Sequence, residues 1–167
     1  MNFEEMINCK DIYDYQKPIS ELISDTSIEQ KALILRYLKR AKVIAAAPGF
    51  GTDEITGELI PGGLLMYCDG IYTWISDAIY YLDKYNIVLY RDYIEHVVML
   101  EKARYIGVKC LEDVHEGEFL KKDKVYRARD CGKGWFFIMD ESHGEFAYPS
   151  ELFKQWTKII QINAWKK

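Results

Sequence analysis

The hydrophobic pattern changes period twice between residues 64 and 86. Leu64–Cys68 and Ile71–Ile75 are runs of β-formers around Asp69-Gly70, and Ala78, Tyr81, Leu82 and Tyr85 then recur at helical spacing. Asp-Gly between two such runs predicts a type I′ hairpin, because that turn needs positive φ at both central residues. In the resulting register Cys68 faces Ile71, Tyr67 faces Tyr72, Met66 faces Thr73 and Leu65 faces Trp74. One face then carries Leu65, Tyr67, Tyr72 and Trp74, and the other Leu64, Met66, Cys68, Ile71 and Ile75. A half-buried hairpin is apolar on one face only. Two apolar faces need two covers: a helix on one, and on the other either the rest of the chain or a partner. Ser76 is placed to cap the helix that follows, with Asp77 in its first turn.

Upstream, Pro18 opens a short helix through Ile23. Ser27 and Gln30 fit a capping box for a helix with Ile28, Ala32, Leu35 and Leu38 along its stripe. Lys42–Ala47 reads as a strand stopped by Pro48-Gly49, and a further helix over about 90–102 carries Ile94, Val97 and Val98. Past Arg104 the composition shifts to short strands: Tyr105–Leu111, Val125–Arg129, Trp135–Asp140 and Glu145–Tyr148, with a turn at Asp140–Gly144. A helical turn at Pro149–Phe153 and a closing strand at Lys158–Ile162 complete the series. The pattern predicts an α+β chain in two domains. Residues 1–104 form an N-terminal helix plus three-stranded antiparallel sheet with two further helices, and residues 105–167 a small β-barrel.

At 167 residues with 49% hydrophobic and 29% charged positions, the chain is globular and not disordered. Charge changes the picture more. Residues 1–104 hold the acidic excess, whereas residues 105–167 are close to neutral. An acidic first half argues against nucleic-acid binding there and suits a basic partner or simple solubility. No apolar run reaches the roughly 18 residues of a membrane span, and Met1–Glu5 lacks the basic start of a signal peptide, so a cytoplasmic protein that binds no membrane is expected. Cys9, Cys68, Cys110 and Cys131 are scattered, with no Cys-x-x-Cys pair and no zinc-ligand spacing to a histidine.

Candidate chemistry is sparse. Gly49-Phe50-Gly51-Thr52 follows a strand as a phosphate loop would, but lacks the Lys-Ser/Thr pair, so a structural turn is the better reading. Asp53, Glu54, Glu58, Asp69 and Asp77 can gather near one end of the hairpin, yet Asp69 and Asp77 are explained by their turn and helix start, and no EF-hand spacing exists. A Cys68–His96 dyad has no local signature. No cofactor or metal is implied, and no motif identifies a reaction. Lys121, Lys122, Lys124, Arg127, Arg129 and Lys133 lie near Trp135 and Phe136, the ingredients of a single-strand-binding groove. In a strand, however, Val125, Arg127 and Arg129 share one face opposite Tyr126 and Ala128, which is how a solvated surface looks.

The remaining feature is the acidic connection Pro48–Gly63, too long for an ordinary loop. It leads directly into the ring-bearing hairpin, and aromatics beside charged residues are the composition of an interface centre and rim. Phe50, Asp53, Glu54, Glu58, Tyr67, Tyr72 and Trp74 are therefore the candidate protein contacts. The opposing reading packs the rings under the helices.

Two resemblances bear on this. Phe119, Lys121-Lys122-Asp123-Lys124-Val125-Tyr126, Asp140–Gly144 and Tyr148-Pro149-Ser150-Glu151-Leu152-Phe153 resemble a Src-homology-3-like barrel, which implies a fold and no function. Cys68-Asp69-Gly70-Ile71-Tyr72-Thr73-Trp74-Ile75-Ser76-Asp77, continuing through Tyr80-Tyr81 and Lys84-Tyr85, resembles small bacterial proteins of the immunity type from polymorphic toxin systems. That resemblance implies a non-catalytic inhibitor that occludes a basic toxin domain. The expectation is a protein-binding protein of this kind. The alternative is a nucleic-acid-associated regulator that acts through the C-terminal barrel.

Overall fold

The computed structural model describes residues 9–103, 105–130 and 134–157. The chain is α+β, with two sheets of four and five strands among the described residues. It divides into two compact units, Met1–Val98 and Met99–Lys167.

The first unit runs β1 (Lys10–Asp11), α1 (Ile19–Leu22), α2 (Lys31–Arg40), β2 (Lys42–Ala47), β3 (Leu64–Cys68), β4 (Tyr72–Ile75), α3 (Ser76–Tyr85) and the first part of α4 (Arg91–Lys102). Its sheet has the order β1-β4-β3-β2. The three-stranded antiparallel meander is present, but β1 adds a parallel fourth strand through Lys10↔Tyr72 and Asp11↔Thr73. Two residues without apolar alternation left no pattern to read.

The hairpin register differs from the expected one by two residues. Tyr67 lies opposite Trp74, Cys68 opposite Thr73 and Met66 opposite Ile75. Asp69 sits one position earlier in the turn than a type I′ geometry requires. Its Oδ1 accepts the Ile71 and Tyr72 amides at 2.8 and 2.7 Å, and only Gly70 of the pair has positive φ. Side chains alternate with a period of two, so a slip of two leaves each residue on its expected face.

The ring face is covered from within. Trp74 is 1% exposed and Tyr72 4%, packed against Tyr37 of α2 and Tyr93 of α4. α2 starts at Lys31, later than expected. The Ser27 hydroxyl turns to the Ile28 carbonyl, no side chain caps the helix, and Ile34, Tyr37 and Leu38 form its buried face. Ser76 likewise does not cap α3. Its hydroxyl donates to the Gly63 carbonyl and accepts the Leu65 amide, tying the helix start to the end of the long connection. Tyr93, Val97 and Leu100 form the buried stripe of α4, with His96 beside it.

In the second unit β5 (Tyr105–Cys110), β6 (Val125–Asp130), β7 (Trp135–Met139), β8 (Glu145–Pro149) and β9 (Phe153–Thr157) form one antiparallel sheet in the order β8-β7-β6-β5-β9. A 3-10 turn at Ser150–Leu152 precedes β9. No pairing closes β8 onto β9 among the described residues, so the described sheet is open. The closing strand expected at residues 158–162 lies outside the described residues, as do Cys131 and Lys133. Val108, Leu120, Ala128, Phe137, Ile138 and Phe146 are prominent in the core of this unit.

Candidate functional site

The long connection folds back on itself. Thr52 bridges Leu59, the Asp53 amide donates to the Glu58 carbonyl, and the Ile60 amide donates to Gly51. A tight tip at residues 54–57 results, with Gly57 at positive φ. Helix α3 holds this lobe by its polar flank. Tyr80, Lys84 and Tyr85 all donate to Oδ2 of Asp53, at 2.8, 2.9 and 2.6 Å, while the Ile55 amide takes Oδ1 at 2.9 Å. The Tyr81 hydroxyl donates to the Thr52 carbonyl and accepts the Glu54 amide. Burial works against a charge on Asp53, but the hydrogen bonds from Tyr85, Lys84, the Ile55 amide and Tyr80 win and hold its carboxyl well below the usual carboxylate range. Lys84 is pushed above its ordinary value, chiefly by its hydrogen bonds to Tyr80 and Asp53.

This geometry sorts the candidate contacts. Asp53 is fully buried and anchors the lobe, so it is no contact residue. Tyr72 and Trp74 belong to the core, which removes both as contacts and leaves Leu65 and Tyr67 as the part-exposed residues of the ring face. Glu54 is exposed, but its Oε2 accepts the Ile19 amide at the start of α1. Phe50 and Glu58 stand in solvent, Phe50 at 62% exposure. Tyr67 is intermediate. It stacks on Trp74 with ring centroids 6.0 Å apart and also lines an open groove of about 740 Å³ with Leu65, Ile79, Tyr80, Lys39 and Lys84.

Besides Tyr15, Ile23, Val88 and Tyr90, the exposed large apolar side chains of this unit lie between residues 43 and 66. They are Val43 on β2, Phe50, Ile55 and Leu59 in the lobe, and Met66 on β3, with Leu59 at 67% exposure. β2 is also one of the sheet's two outer strands, the two-residue β1 being the other. An outer strand leaves one row of backbone N–H and C=O groups without ladder partners.

The other titratable residues go elsewhere. Asp69 Oδ2 accepts the Tyr37 hydroxyl at 2.8 Å and lies 3.2 Å from Nε2 of His96, all three buried. Asp77 sits at the start of α3, hydrogen-bonded by Ser76. Of the five carboxylates expected to gather near the hairpin, Asp53 and Glu58 share Lys84, whereas Glu54, Asp69 and Asp77 go to other partners. Among the described residues no group of three or more His, Cys, Asp or Glu side chains is arranged to hold a metal ion. No described helix is long and apolar enough to cross a membrane.

The cations of the second unit are largely neutralised in place. Arg129, expected on a solvated face, is only 2% exposed. Its guanidinium lies between Glu101 and Glu145 and also donates to the Leu100 carbonyl. Lys121 and Lys124 share Glu141, Lys109 pairs with Asp123, and Arg127 stacks on the Tyr105 ring at 3.5 Å.

Comparison with protein-family models, curated proteins and solved structures gives no match to this chain.

Sequence reasoning missed the anchoring role of Asp53. The available signal was on the helix: Tyr80 and Lys84, four residues apart, lie outside the Ala78–Tyr81–Leu82 stripe of α3, and with the hydroxyl of Tyr85 next to Lys84 such a set of donors calls for an acceptor.

Proposed function

We propose that this chain is a non-catalytic protein-binding protein that docks through the outer strand β2 and the 48–63 lobe. The observation that carries the reading is the group of exposed apolar side chains Phe50, Ile55 and Leu59 on a lobe that Asp53 holds to α3, edged by the carboxylate of Glu58, with Val43 exposed on the neighbouring strand β2. Exposed apolar groups on a rigid support cost little entropy to dock. The acidic excess of residues 1–104 favours a basic partner and would speed encounter with it. The specific form proposed is an immunity protein that occludes a toxin domain, in keeping with the sequence resemblance at residues 68–85. The second unit we read as Src-homology-3-like, supported by the 3-10 turn before β9 and the return of β9 onto β5.

The test is co-purification from the native cell with wild type, a Phe50→Ser/Leu59→Ser double variant and Glu58→Lys. The expected result is a stoichiometric basic partner on wild type that both variants lose while their melting temperatures stay at the wild-type value. A partner retained by both variants overturns the assignment of the surface. The nucleic-acid reading is weaker, because Arg129 is buried between two carboxylates. It requires affinity that falls steeply with salt and depends on Lys122.

A further inference from the structure

Two thiols 59 residues apart in the chain meet where β3 ends in the first sheet. Cys9 immediately precedes β1, Cys68 ends β3, and their sulfurs lie 3.2 Å apart. Neither is in a disulfide. Their surroundings differ. Cys68 is fully buried, and its sulfur accepts the Gly70 amide. Cys9 is part-exposed, so a dissolved oxidant reaches it first.

We propose that Cys9 and Cys68 form a peroxide-responsive thiol pair, with Cys9 the residue oxidised first and Cys68 the one that resolves it, and that the resulting disulfide locks the N-terminal strand onto the sheet. The hydrogen bond between the two sulfurs lowers the Cys9 thiol from its ordinary value, and that same bond together with burial raises Cys68. The thiolate is the nucleophile in such chemistry. Its sulfur attacks one oxygen of hydrogen peroxide. A sulfur–oxygen bond forms, the oxygen–oxygen bond breaks, and the departing hydroxide takes up a proton to leave as water, giving a sulfenic acid on Cys9. The Cys68 sulfur then attacks the Cys9 sulfur. The disulfide forms, the sulfur–oxygen bond breaks, and the second water carries away the Cys68 proton. Two thiols lose two electrons, and one peroxide becomes two waters.

The position gives the bond a structural consequence. β1 is held by two residue pairs on β4 and by the Lys10 amide to the Ile71 carbonyl. A short strand at a sheet edge is the first element to fray. A disulfide at Cys9 ties its start to the far side of the hairpin and closes a loop that spans most of the first unit.

The experiment uses the full chain, reduced and then treated with one molar equivalent of hydrogen peroxide. The expected product is a monomer lighter by two hydrogens, with Cys9 and Cys68 in one linked peptide. Its melting temperature should rise by on the order of 10 °C, the scale for cross-linking a loop of this length in a small domain. Cys68→Ser should instead trap a sulfenic acid on Cys9 that dimedone captures, and Cys9→Ser should leave Cys68 unreacted. Should Cys68→Ser fail to fold, Cys68→Ala serves the same purpose. Preferential linkage through Cys110 or Cys131, a linked dimer as the main product, or a Cys9 that reacts no faster than Cys110 would each overturn the proposal.

Discussion

Replacing Trp74 by alanine separates a core role from an interface role. The indole is 1% exposed and touches Tyr67, Tyr37 and Tyr93, with centroids 6.0, 6.4 and 6.1 Å away. A buried Trp removes about 150–250 Å² from water, and at roughly 25 cal/mol per Å² that burial is worth about 4–6 kcal/mol. Part of this survives in the alanine methyl and in relaxation of the rings around the gap. Large-to-small aromatic replacements in cores cost about 3–5 kcal/mol. Against a total stability of roughly 5–15 kcal/mol this is a severe loss. In urea titration followed by far-UV circular dichroism, a slope of about 2 kcal/mol per molar converts it to a midpoint lowered by roughly 2 M. Phe50→Ala is the matched control: an exposed ring whose loss should move stability by no more than about 0.5 kcal/mol. If Trp74→Ala does not fold at all, Trp74→Phe gives a measurable intermediate midpoint. A Trp74→Ala protein with the wild-type midpoint would refute the packing argument and return the ring face to the list of docking surfaces.

Three further outcomes follow from the polar anchors. Because the Asp53 carboxyl is held below the ordinary aspartate value near 3.8, its contribution is fully present above that value and is lost as pH falls beneath it. Wild type should therefore lose more urea resistance between pH 5 and pH 3 than Asp53→Asn does, and equal losses would contradict the assignment; in the variant, amide exchange at residues 51–60 should also quicken at pH 7. Asp69→Ala strips acceptors from two backbone amides, Tyr37 and His96 in a buried site, so a loss of about 3–5 kcal/mol is expected in denaturant titration, and a loss under about 1 kcal/mol would show that water replaces it. Arg129→Met leaves Glu101 and Glu145 facing each other in the second unit and should cost a similar amount, whereas Lys122→Ala should be nearly neutral; a neutral Arg129→Met would mean the guanidinium is solvated after all.

The parts of the fold legible from sequence were those written in apolar periodicity. α3, α4 and strands β2 to β8 lie within a residue or two of where the pattern puts them. Ranges were lost where polar groups chose between partners of similar energy. Ser27 and Ser76 both have the composition of helix caps, and both spend their hydroxyls on other backbone groups. Asp69 has the composition of a turn centre, but two amides and the buried Tyr37–His96 pair fix it at the turn's first corner. The hydroxyl or carboxylate that closes a local motif can equally close a long-range one, and only packing decides.

The candidate site was legible as a region and not as a set of side chains, for a related reason. Composition marks Tyr67, Tyr72 and Trp74 as rings suited to an interface, and the same rings suit a core. What separates them is whether α2 and α4 carry large side chains toward that face, and Tyr37 and Tyr93 do. Once those helices cover the ring face, the exposed apolar area shifts to the outer strand and to the lobe beyond it. The acidic lobe changes its meaning too. It is too long for an ordinary loop, yet Asp53 gathers four donors that hold it to α3 and to its own tip. A long loop without anchors would offer Phe50 and Leu59 as an ensemble that must be ordered on binding. A loop pinned to α3 by Tyr80, Lys84 and Tyr85 offers them already in place. The docking reading therefore leans on a buried carboxylate that touches no partner, and Asp53→Asn should weaken partner binding through faster dissociation while Phe50 and Leu59 remain intact. A dissociation rate unchanged in that variant would show that the lobe's shape is set elsewhere.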